Sequence, residues 1–169
     1  RLNASGYSTG CRLLGVDGRV EELVEKARRR GISGLLQISP ADDPAQLRTL
    51  LRSADLFLVL QQAHATDLPM TVLEAMSCEV PVVAAADGPF AGVLRHGVDG
   101  VLTRMDDATA LAETVARLAD DRLVRQRIGC AGRRTVLGAY SGRGTAATLR
   151  ALFSPAAPAA MAPRPEIAA

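Results

Sequence analysis

The chain has 169 residues, 48% of them apolar but only 3% aromatic, with no Trp and a formal charge of +2. That length suits one domain with a sizeable core, and a supply dominated by Leu, Val and Ala favours helices packed on a parallel sheet over an aromatic-rich β-sandwich. The small net charge gives no footing for nucleic-acid binding, and no apolar run reaches the ~18 residues of a transmembrane helix.

Cys11, Cys78 and Cys130 are odd in number and lack C-x-x-C spacing. They read as reduced, small hydrophobic residues of a cytoplasmic protein, with neither a disulfide framework nor a metal site. The chain opens on Arg1, with no initiator Met and no signal peptide, so residues upstream are expected to be missing.

Residues 1–16 carry the weakest pattern; RLNAS is a candidate strand followed by an irregular loop. A helix is predicted over 17–30, where Val20, Leu23, Val24 and Ala27 recur at helical spacing. Glu22–Lys26 and Glu25–Arg29 are i,i+4 pairs, Asp17 stands as N-cap and Gly31 as the C′ residue. Arg28, Arg29 and Arg30 fall at the end of that helix, where they complement its dipole and stay solvated. A strand is predicted over 34–38. The next helix opens on Asp43 as N-cap, Pro44 at N1 and Gln46 at N3, a capping box, and buries Leu47, Leu50, Leu51 and Ala54.

LFLVL at 56–60 reads as a strand buried on both faces, helix 69–78 opens on Pro69, and VPVVAA at 80–85 is a second buried run. A helical turn near 90–95 leads through Gly97 to Gly100 into a short strand at 101–103. Helices follow at 107–119, 122–136 and 142–153, the first capped by Asp106 or Asp107. Residues 154–169 (SPAAPAAMAPRPEIAA) are Pro/Ala-rich and are expected to be a disordered tail.

Strands alternating with helices define an α/β fold, a Rossmann-like parallel sheet flanked by helices. Ligands of such sheets sit at the carboxyl ends of the strands beside helix N-termini, which directs attention to loops 61–69 and 86–92. The first-turn N–H groups of helix 69–78, near Met70 and Thr71, point toward that region and suit an anion. Asp55 is expected to hydrogen-bond backbone at the helix–strand junction, and His64 and His96 are read as surface histidines. Gly97 and Gly100 are expected to serve turns of positive φ.

Residues 54–103 carry the specific signal. Ala54-Asp55, Leu68-Pro69, Leu73-Glu74-Ala75-Met76, Pro81-Val82-Val83-Ala84, Gly88 and Gly97 through Gly100 follow one another in a strand–helix–strand context. This series resembles the donor-domain signature of the GT-B glycosyltransferases of family 4, the glycosyl transferases group 1, with weaker likeness from Asp43 to about residue 137.

The resemblance implies a GT-B C-terminal domain over 1–153, part of a retaining enzyme that moves a hexosyl group from a nucleotide diphosphate sugar to a hydroxyl acceptor. It gives Glu74 the ribose-binding role and places Thr66, Asp67, Leu68, Pro69, Met70 and Thr71 around the donor. It implies no metal in the chemical step and no cofactor besides the donor substrate, and the catalytic residue stays unassigned. The acceptor is unknown; the acceptor-binding N-terminal domain would be missing from this chain, and peripheral membrane contact is left to that domain.

Four departures qualify the resemblance. Thr66 stands where the family has the first glutamate of E-x7-E, and Asp67 stands where it has glycine. Glu79 replaces a glycine after the LEAM helix, at a cost of about 1 kcal/mol if the backbone there is left-handed. Gly92 replaces another common glutamate. The family's G-R-x-x-x-x-K-G segment and the strand before it are also absent, so a sheet of order 3-2-1-4-5-6 would keep about five strands, lose its first, central one and leave two edges open. The alternatives are a degenerate, non-catalytic homologue acting as a binding or assembly module and, with less support, another GT-B enzyme such as a nucleotide-sugar epimerase.

Overall fold

The computed structural model describes residues 9–14, 20–39, 43–59, 70–87, 89–104 and 106–153. Local capping rules account for most of its helices. Helix α1 (Val20–Arg29) stops at Gly31, φ +66°, in a Schellman turn: Ile32 N–H donates to the Ala27 carbonyl and Gly31 N–H to that of Arg28, both at 3.0 Å. Glu25 forms exposed ion pairs with both Arg28 and Arg29. Helix α2 (Pro44–Arg52) begins behind Asp43, whose carboxylate accepts the Ala45 N–H. Asp107 caps α4 (Ala108–Asp120), and the Ala110 and Thr109 N–H groups hold its carboxyl below the ordinary aspartate range. Asp121 caps α5 (Arg122–Thr135), which passes through a π turn at Val136–Tyr140 into α6 (Gly142–Phe153). Asp17, the tail 154–169 and loop 61–69 with His64 lie outside the described residues.

Helix α3 (Met70–Ser77) ends in the same Schellman geometry, with Val80 N–H on the Ala75 carbonyl and Glu79 N–H on that of Met76. Here the C′ residue is Glu79 at φ +63°, the left-handed backbone that the missing glycine implied. A side chain there suffers the Cβ–carbonyl crowding that glycine avoids. Glu79→Gly is therefore expected to raise unfolding stability by about 1 kcal/mol in urea titration. A loss instead would mean that the half-exposed Glu79–Arg133 pair, 3.7 Å apart, outweighs the backbone strain.

The strands correct the expected boundaries. Among the described residues the first strand, β1, is Cys11–Leu14, a strand not expected there; the candidate strand RLNAS lies outside the described residues. It pairs in parallel with β2 (Leu36–Ser39), in register from Cys11 opposite Leu36 to Leu14 opposite Ser39. A 3-10 turn takes up Ser33–Leu35, so β2 begins later than expected. Strand β3 is only Phe57–Leu58, although the Phe57 and Val59 N–H groups donate to the Pro81 and Val83 carbonyls and extend its bonding to β4 (Val82–Ala85). Strand β5 (Val101–Thr103) completes the parallel set.

Among the described residues five strands form two sheets, β2-β1 and β3-β4-β5. These correspond to the 3-2 and 4-5-6 parts of the expected order, and among the described residues β1 and β3 each have a single strand neighbour. Both faces of the larger sheet are covered. Val82, Ala84 and Ala85 join Val72, Ala75 and Met76 of α3 and Leu47 and Leu51 of α2 in one core, to which Leu14 of β1 also packs. Val83 and Val101 join Leu118 of α4 and Ile128 of α5 in a second. Such two-sided burial explains why β4 is a continuous apolar run with no polar alternation.

Candidate donor site at the carboxyl ends of the strands

Helix α3 connects β3 to β4, so its N-terminus stands at the carboxyl end of β3. Val72, Ala75 and Met76 are fully buried, and that fixes which face is left outward. Met70 and Glu74, one turn apart, are exposed, and Thr71 beside them is half-buried. The helix thus presents a carboxylate one turn inside an end where N–H groups lack intrahelical acceptors. A carboxylate accepts hydroxyl protons and helix N–H groups attract anions, so the two chemistries of a nucleoside diphosphate meet on one helix. Of the other residues expected there, Thr66, Asp67, Leu68 and Pro69 lie outside the described residues.

The second loop leaves β4 at Ala86, whose N–H donates to the Thr103 carbonyl, and continues through exposed Asp87. A 3-10 turn at Pro89–Gly92 follows, pinned by the fully buried Phe90 ring. Gly92 is exposed, and a Cβ there would meet nothing within 4 Å, so the position has room for the side chain it lacks.

Several expectations are corrected at the opposite end of the sheet. Asp55 does not bond the backbone at its junction; its side chain is 87% exposed and lies 3.8 Å from Arg125. Arg125 is itself largely buried and donates to the Leu118 and Ala119 carbonyls, closing the end of α4. A shallow cleft of about 190 Å³ between Ala54, Asp55, Glu79, Pro81, Arg122, Arg125 and Gln126 opens on this side, away from the N-terminus of α3. Gly97 has φ +72° as expected, but Gly100 does not have positive φ; it is needed because a Cβ would stand 2.9 Å from the Leu94 side chain. His96 is exposed, and its Nδ1 accepts the Leu102 N–H at 3.1 Å.

Two residues not singled out beforehand hold the site in place from behind. Asp99 is buried, accepting the Arg95 N–H at 2.6 Å, the Arg95 guanidinium at 2.7 Å and the Thr135 hydroxyl at 2.8 Å. Burial pushes its carboxyl up, but the bonds from Arg95 and Thr135 outweigh this and hold it below the ordinary aspartate range. Arg133 of α5 donates to the Ser77 carbonyl at 2.6 Å, satisfying an orphan acceptor at the end of α3. The Arg95/Asp99 spacing of four was a readable signal for the first; nothing local foretells the second. Among the described residues, no group of three His, Cys, Asp or Glu side chains is placed to hold a metal ion.

The split parallel sheet with helices on both faces and α3 at its carboxyl edge is the architecture of GT-B C-terminal domains. Residues 2–135 match the family model of the glycosyl transferases group 1, and the chain belongs to that family. It is 33% identical over 140 residues to a D-inositol 3-phosphate glycosyltransferase of Frankia alni, covering 81% of this chain and 34% of that protein. The enzyme of the same name from Mycobacterium tuberculosis is 32% identical over 133 residues, 79% of this chain and 25% of the relative. The chain thus spans about a quarter to a third of the length of these relatives. Among solved structures, Anabaena HepE in complex with UDP superposes with a TM-score of 0.69 at 25% identity, over 83% of this chain and 40% of HepE. The C-terminal domain of a glycosyl transferase group 1 protein (LpcC) from Francisella tularensis gives 0.63 at 19% identity, over 75% and 66% of the two chains, a likeness of fold.

Proposed function

We propose that this chain is the donor-binding part of a retaining glycosyltransferase that moves a hexosyl group from a nucleotide diphosphate sugar to a hydroxyl acceptor. The observation that carries this reading is Glu74, outward-facing one turn inside the N-terminus of α3 at the carboxyl end of β3. In this role Glu74 accepts from the ribose hydroxyls. The first-turn N–H groups at Met70 and Thr71 face the diphosphate, and Thr66, Asp67, Leu68 and Pro69 are the further residues assigned to the donor by the resemblance. Charge building on the leaving diphosphate is met by fixed N–H dipoles, which need no reorganisation as the glycosidic bond breaks. Membership of the family and the UDP bound by the relative HepE support the assignment.

The test is a thermal melt of the chain with UDP and other nucleoside diphosphates. A nucleotide at a hundred times its Kd is expected to add about 2.7 kcal/mol of stability. Glu74→Ala should abolish that protection while leaving the ligand-free melt within about 0.5 kcal/mol, because the side chain is exposed. Thr66 and Gly92, where the family carries acids, and Glu79, where it carries glycine, motivate the second reading, a non-catalytic binding or assembly module. Absence of protection by every nucleotide would favour that reading and defeat the first.

A further inference from the structure

Among the described residues Glu79 is the sole non-glycine with positive φ. Backbone outliers of this kind persist where the surroundings hold them, and they gather at sites where the side chain has a task. The partners of the Glu79 carboxylate show what that task is, and both are on α5. The Arg133 Nε lies 3.7 Å from Oε1, and the Cys130 thiol donates to Oε2 at 3.8 Å. Gly129 completes the contact: with no Cβ, it lets the backbone of α5 close on the Glu79 carbonyl.

The last carbonyls of α3 show where this grip acts. The Cys78 N–H donates to the Glu74 and Ala75 carbonyls, that of Val80 to Ala75 and that of Glu79 to Met76. The Ser77 carbonyl is met from another helix, by Arg133 Nη1 at 2.6 Å. Arg133 thus reaches both sides of one turn, the backbone just before it and the carboxylate at its left-handed residue. An arginine gives up much rotamer freedom to hold a single carbonyl. A carboxylate beside the guanidinium restricts it beforehand, so the Ser77 bond forms at a smaller loss.

The same helix carries Glu74 and the free N–H groups at its other end. It has eight residues and is about 12 Å long, too short to absorb a shift at Ser77 before Met70. Its buried side chains, Val72, Ala75 and Met76, are all apolar. Apolar burial is non-directional, so it sets which face points inward but gives little hold along the axis. Directional bonds at the end of the helix supply that hold.

We propose that Glu79 is a positioning residue for the donor site: its carboxylate keeps Arg133 on the Ser77 carbonyl and so fixes where α3 presents Glu74 and its first-turn N–H groups. The proposal rests on reading α3 as the donor-binding helix. Glycine at this position would relax the backbone and give a more stable fold with a less ordered site, a trade of stability against function.

Two measurements on the whole chain separate these effects: urea titration, and UDP affinity by calorimetry well below the melting temperature. Glu79→Gly is expected to be more stable than wild type yet to bind UDP about fivefold more weakly. Glu79→Ala keeps a Cβ on left-handed backbone without the carboxylate, so it should lose the same affinity and gain no stability. Arg133→Met should weaken UDP binding at least as much. Adding Glu79→Gly to it should weaken binding no further, because both changes remove one linkage. Wild-type affinity in Glu79→Gly and Glu79→Ala overturns the proposal and leaves the donor reading standing; additive losses in the double variant do the same. Stability and affinity falling together in Glu79→Gly would make Glu79 an ordinary fold contact, which also overturns it. Failure of the wild type to bind UDP counts against the donor reading itself and removes this proposal with it.

Discussion

Replacing Gly129 by alanine is expected to destabilise the fold by about 3 kcal/mol, at the upper end of overpacking costs. An added Cβ would stand 2.0 Å from the Glu79 carbonyl oxygen, a backbone atom that no side-chain rotation can move aside. Alanine would otherwise favour a helix over glycine by about 1 kcal/mol, so the clash must exceed that gain as well. To relieve it, α5 must lift from the end of α3, which strains the Arg133 bond to the Ser77 carbonyl and the packing of Gly132 on Met76.

Gly132→Ala supplies the internal comparison. Its Cβ would meet the Asp99 carbonyl oxygen at 3.2 Å, a tight contact that a small shift relieves. Urea titration should rank Gly132→Ala well above Gly129→Ala, because the gain in helix propensity offsets the milder contact at Gly132. Equal stability of Gly129→Ala and wild type would show that α5 does not rest on the Glu79 backbone. Because α3 carries Glu74, Gly129→Ala is also expected to weaken nucleotide protection beyond its effect on the melt, a readout that an exposed substitution on α5 would leave unchanged.

What could be read ahead of the structure was local. Asp43, Asp107 and Gly31 announce helix ends through chemistry confined to a few residues, and each stands where that chemistry put it. The left-handed Glu79 was legible for a related reason: the turn between LEAM and PVVA needs a positive φ whatever residue occupies it. The parallel sheet followed from alternating apolar runs, and its separation into β2-β1 and β3-β4-β5 followed from the strand order.

What was missed depends on residues distant in sequence. Cys11–Leu14 has no clear period of its own and is a strand because Leu36–Ser39 lies beside it. Asp55 was assigned to its own junction, whereas Arg125, seventy positions later, faces it. Gly100 looked like a turn residue and proved to be a packing residue under Leu94. In the candidate site the same division holds: the outward face of Glu74 was set by the period of α3, but the grip of α5 on the far end of that helix was not visible in either segment alone.

Asp99→Ala is expected to cost about 2–3 kcal/mol, since the Arg95 N–H and the Thr135 hydroxyl would lose a buried charged acceptor while the Arg95 guanidinium, 69% exposed, returns to water. Thr135→Val removes a single donor and should cost about 1 kcal/mol. The pH dependence separates this network from simple packing. The folded Asp99 carboxyl lies below its unfolded value, so its contribution is present in full above about pH 4 and is lost as pH falls through the folded value. Wild-type melting temperature should therefore drop on acidification below about pH 4. Asp99→Ala, lower throughout, should show a shallower drop, with a residual slope from Asp106 and Asp107, whose carboxyls are also held low. Parallel curves for the two proteins would mean that the Asp99 charge is not what ties the Arg95–Gly100 loop to α5. Converging curves would show that this loop, and through Gly132 the helix bracing α3, is held by one buried carboxylate.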